Sequence, residues 1–153
     1  MQPISRVAIL IPMLVGSVAV VCTVLIHSMA ILATLKFIRH ENKLGRTGSS
    51  FSADFTIVSL TMFFALVAHL IEIGVWAVLF ILCREFSGFG TAYYHSAVNF
   101  TTLGYGDLIM TSSWKLLGPM EAADGMLMFG VSTAIIFAVI QRLVRVRFVD
   151  LNP

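Results

Sequence analysis

The heptamer Thr101-Thr102-Leu103-Gly104-Tyr105-Gly106-Asp107 concentrates chemistry that the rest of this apolar chain lacks. Glycine is unfavourable inside helices and strands alike, so a Gly-Tyr-Gly run between apolar segments needs a backbone that neither regular element supplies. If the chain alternates there between right- and left-handed conformations, Gly104 and Gly106 take the left-handed sites without steric penalty. Successive carbonyls of Thr102, Leu103, Gly104 and Tyr105 then turn to one side. Such a row of oxygens, with the Thr102 hydroxyl as one more, has the chemistry to replace the water shell of a cation.

A second set of residues stands inside apolar runs. His69 and Glu72 are three residues apart and share a helical face, as do Glu121 and Asp124. Counted inward from Cys83 and Lys115 along a helix, Glu72 and Asp124 fall at about 16 Å and about 13 Å, a similar depth. Charge that deep is expensive, so these groups are expected to face protein, as neutralised inter-helix hydrogen bonds or as support behind the glycine-rich segment. An alternative of a different class is a membrane metalloenzyme built on His69, Glu72 and Asp124, although the cluster has no sharp ligand spacing.

The elements that must position these residues follow from composition. With 58% hydrophobic and 12% charged residues and a mean hydropathy of +0.93, the chain lies outside the range of ordinary soluble domains, and the class is an all-α integral membrane protein. Three stretches each exceed the roughly 20 residues needed to cross a hydrocarbon core. They run from Val7 to about Leu35, from Phe55 to about Cys83 and from about Lys115 to Phe148. The first is too long for the core of a cleaved signal peptide. His27 within it is expected to be hydrogen-bonded to a neighbour, and Cys22 and Cys83 read as small apolar residues. A polar linker from Lys36 to Asp54 follows, with Ser52 or Asp54 as the cap of the next helix.

Between the second and third spans, Thr91–Phe100 is helix-compatible with Thr91 as its cap. About twelve helical residues cover about 18 Å, half a bilayer, which predicts a re-entrant segment. Its negative C-terminal end would then aim at a cation. Pro119 is best tolerated in a first turn, which moves the start of the third helix toward Gly118. Lys36, Arg39, Lys43, Arg46, Arg142, Arg145 and Arg147 lie on one side of this topology, against Arg6, Arg84 and Lys115 on the other. The positive-inside rule places the linker and C-terminus in the cytoplasm and the N-terminus and heptamer outside a plasma or inner membrane. The basic linker reads as a membrane anchor touching anionic lipid, and nothing points to nucleic acid.

TTLGYGD resembles the selectivity filter of potassium channels, and the order outer helix, pore helix, filter, inner helix over Phe55–Phe148 is similar to their pore domain, particularly in small bacterial members. The resemblance implies potassium bound at Thr102, Leu103, Gly104, Tyr105 and Gly106, filter support from Asp107, Tyr94, His95 and Thr101, and Gly125 or Gly130 as hinge of the inner helix. It implies a homotetramer in membrane lipid that conducts potassium passively, with no cofactor and no enzymatic step; a poorly selective cation channel is the near alternative. Departures from the family pattern are Leu103 where valine or isoleucine is usual, Tyr94-His95 in place of an aromatic pair, Val98 where some members carry glutamate, and Met110 where proline is common. The expected organisation is a helix and linker over 1–54, a pore domain over 55–148 and a short tail over 149–153, with no appended ligand-binding domain.

Overall fold

The computed structural model describes residues 6–148, so the expected tail at 149–153 lies outside the described residues. The architecture is α1 (Arg6–Lys43), α2 (Phe51–Leu82), α3 (Phe89–Phe100) and α4 (Leu117–Phe148), with no strand among the described residues. Helices α1, α2 and α4 are each long and apolar enough to cross a bilayer, while α3 is not. Large apolar side chains on α1 stay exposed, among them Leu10, Leu14, Val18 and Leu25. Spaced at helical intervals, they form a stripe suited to acyl chains rather than water.

Several boundaries differ from the sequence expectation. The segment from Lys36 to Lys43 is not linker but the last two turns of α1. Lys36, Arg39, Glu41 and Lys43 are good helix formers, and Ile38 is buried with Ile57, Val139 and Leu143, so an amphipathic pattern extends the helix beyond the purely apolar run. The true connection is short and turns on Gly45 and Gly48, both with positive φ. Ser50, rather than Ser52 or Asp54, caps α2: its Oγ accepts the Ala53 N–H at 3.3 Å. Asp54 sits in the first turn, where it accepts from the Gly48 N–H at 2.9 Å and from Arg147 at 3.2 Å. Helix α3 begins two residues before Thr91, with Gly88 at its N-cap and no side-chain cap bond. Pro119 is the third residue of α4, where its missing N–H would have had no helical partner.

The chain divides into two compact units. The first takes the chain up to Ile26 and Leu70–Met128, and contains α3 and the heptamer. Its core includes Trp76, Phe80, Phe100 and Leu117, all fully buried. The second takes His27–His69 and the chain from Phe129 onward, with Ile57 at the centre of its smaller core.

Candidate functional site

The path of α3 is fixed by what its residues touch in the first unit. Tyr93 Oη donates to the Leu70 carbonyl at 3.0 Å, and Ser96 Oγ lies 2.8 Å from the Ile73 carbonyl while also engaging the Glu121 carboxyl. The Phe100 carbonyl lies against Gly125. Ile73 is about 13 Å inward from the end of α2 and Gly125 about 12 Å inward from the start of α4, so α3 descends about a quarter of the way along both helices. The chain then climbs back: Thr111 donates its N–H and its hydroxyl to the two Glu85 carboxylate oxygens, at 2.7 and 2.6 Å, just beyond the end of α2. The segment is therefore re-entrant.

The heptamer occupies the turn of this path. Thr102 (φ 62), Gly104 (φ 59) and Gly106 (φ 72) are left-handed, whereas Leu103 and Tyr105 are not. Alternate residues thus reverse hand. For the β-branched Thr102 this conformation costs on the order of 1–3 kcal/mol. The preceding helix helps to hold it: the Thr102 N–H donates to the Asn99 carbonyl at 2.8 Å and the Leu103 N–H to the Val98 carbonyl at 2.9 Å. Thr101 Oγ1 donates to the Ala97 carbonyl at 2.6 Å, which ties that hydroxyl to the helix end. Within the single chain all seven residues are exposed, including Leu103 at 57% and Tyr105 at 65%.

At the far end of the heptamer, Tyr94 Oη donates to Asp107 Oδ2 at 2.8 Å. That bond, with smaller contributions from burial and the Asp107 charge, raises the Tyr94 phenol above its ordinary value. His95 is buried between Phe80 and Phe86, with ring centroids 5.3 and 4.8 Å away, and its Nε2 lies 2.9 Å from the Asn99 side-chain amide. Burial lowers its pKa, opposed in part by the Asp107 charge, a hydrogen bond with the Leu108 backbone and the Glu85 charge.

The intramembrane polar residues divide between the units. Glu72, Glu121 and Asp124 are buried in the first. Asp124 Oδ2 accepts from Thr23 at 2.8 Å and from Trp76 at 2.9 Å, so one oxygen joins α1, α2 and α4. Glu121 instead meets Ser96 of α3. In the second unit His69 and His27 lie 3.1 and 3.2 Å from the same Ser132 hydroxyl, with their rings stacked 5.3 Å apart and His69 packed on Phe129. Gly125 and Gly130 also part ways: a Cβ at Gly125 would collide with the Phe100 carbonyl, whereas one at Gly130 meets open space.

Sequence reasoning did not single out Thr23, Trp76, Ser96 or Glu85. A signal existed for Trp76, because a buried indole N–H needs an acceptor and the apolar spans contain few. Thr23 and Ser96 carry no such signal, since hydroxyls in helices commonly bond their own backbone.

Residues 57–142, more than half of the chain, match a family model described as ion channel. No curated protein and no solved structure matched. With three helices apolar enough to cross a bilayer and a re-entrant segment between the last two, this integral membrane chain belongs to the ion channel family.

Proposed function

We propose that the chain forms a homotetrameric, potassium-selective channel whose filter is Thr102–Gly106. The observation that carries this reading is the alternation of left-handed backbone at Thr102, Gly104 and Gly106 with Leu103 and Tyr105 between them. Alternating handedness turns consecutive carbonyls to one side, the arrangement a dehydrated cation requires. Non-helical backbone at membrane depth persists only when buried in protein or lining a watery path. One chain leaves this strip exposed and supplies only part of an oxygen ring. Four copies around an axis cover the strip and complete each ring, and ions then move down their gradient with no chemical step.

The Tyr94–Asp107 bond and the Glu85–Thr111 clamp hold the return limb in this reading. The basic ends of α1 and α4 face the cytoplasm of a cell membrane, and the heptamer opens outward. The reversal potential of bilayers holding the purified protein tests selectivity. Under opposed potassium and sodium gradients it should lie near the potassium equilibrium value; a value near zero would make this a poorly selective cation channel.

A further inference from the structure

In the second unit, α1 and α4 line a cleft of about 240 Å³ whose chemistry changes along its length. One end is walled by Leu35 of α1 with Ile135 and Ala138 of α4, and the other carries Arg39 and Asn42 of α1 with Arg142 of α4. The order is the same on both helices, apolar first and basic one to two turns later. From Leu35 to Asn42, or from Ile135 to Arg142, is about 10 Å of helix.

Two other arginines of this unit are already paired. Arg46 is paired with Glu41 at 3.5 Å and Arg147 with Asp54 at 3.2 Å. Neither Arg39 nor Arg142 has an acidic partner among the described residues. Two guanidinium groups lining one cleft repel each other, an anion between them relieves that repulsion, and their fork geometry suits phosphate oxygens. A free anion would leave the apolar half of the cleft unfilled; a zwitterionic lipid brings no net charge to the basic half.

We infer that the cleft holds one anionic phospholipid per chain. Its phosphate lies between Arg39 and Arg142, Asn42 bonds the headgroup, and an acyl chain runs over Leu35, Ile135 and Ala138. This inference uses only the membrane location of the chain. It requires neither potassium selectivity nor four subunits, so its failure and theirs are separable.

Native mass spectrometry of the full-length protein in detergent tests it, with phosphatidylglycerol, phosphatidylcholine or inorganic phosphate added separately and in competition. The natural chain should retain phosphatidylglycerol in preference to phosphatidylcholine. The double substitution Arg39→Gln with Arg142→Gln should weaken that retention roughly tenfold or more, since each basic residue contributes to the attraction. Ala138→Trp, which fills the cleft and leaves both arginines in place, should weaken it as well, while Arg145→Gln outside the cleft should not. Equal retention of the two lipids, or unchanged retention in the double variant, would overturn the proposal. Displacement of phosphatidylglycerol by equimolar inorganic phosphate would also overturn it, marking a free-anion site.

Discussion

Trp76 Nε1 donates to Asp124 Oδ2 at 2.9 Å in the buried core of the first unit. Thr23 donates to the same oxygen, so α1 is bonded into the unit that carries the heptamer rather than merely lying beside it. What these donors need is an acceptor, which an amide oxygen provides and a methyl group does not. Asp124→Asn should therefore stay within about 1 kcal/mol of the natural stability, whereas Asp124→Ala should lose about 1–3 kcal/mol by stranding the indole N–H. Melting of the purified protein in detergent measures both, and an Asn variant as unstable as the Ala variant would show that the acceptor is not what matters.

Gly125 and Gly130 give a paired test of close packing against hinge bending. At Gly125 the Phe100 backbone occupies the space a methyl group would take, and backbone cannot swing aside as a flexible side chain can. Gly125→Ala should displace the end of α3 and cost about 1–3 kcal/mol, as overpacking does. Gly130→Ala meets nothing and should leave melting unchanged. Equal melting of the two variants would contradict this division.

Acidification should destabilise the fold through His95. Burial holds its folded-state pKa below the ordinary value of about 6.5. The unfolded chain therefore takes up the proton first, and the histidine contributes nothing above that pH. Stability falls as the pH drops below about 6.5 and levels off once the folded value is passed. His95→Asn should flatten this part of the melting profile, and a variant with the same acid slope would remove His95 as its source.

The Tyr94–Asp107 bond acts at the opposite end of the pH scale. Because the phenol is raised in the folded protein, its contribution is complete below about pH 10 and is lost as the pH rises through the folded value. Tyr94→Phe should melt lower than the natural chain at neutral pH, and the difference should shrink in strong alkali. A gap that stays constant to high pH would assign the effect to packing instead.

Much of this organisation is legible in the residues alone, because a bilayer restricts the available structures. Length and apolarity specify the three long helices, and two glycines around a tyrosine mark the departure from regular backbone. What pattern does not carry is pairing. Nothing in the spacing of Glu121 and Asp124 says that one meets Ser96 and the other Trp76 and Thr23, since that depends on the rotation of four helices. The boundary at Leu35 failed for a related reason: Ile38, with Phe37 beside it, packs on Ile57, Val139 and Leu143, and these apolar contacts prolong α1 past the apolar run. Thr102 is the most instructive case. Its left-handed φ follows from the alternation of the strip and not from its residue type, which disfavours it.

Potassium uptake into sealed liposomes, compared between the natural chain and Gly104→Ala, tests the central claim most directly. Gly104 has a left-handed φ with open space around its Cβ position, so the substitution strains the filter backbone without crowding a neighbour. The expected result is selective uptake by the natural protein and its loss in a variant that still folds and inserts. Equal uptake by both would contradict the assignment of Thr102–Gly106 as the path of the ion.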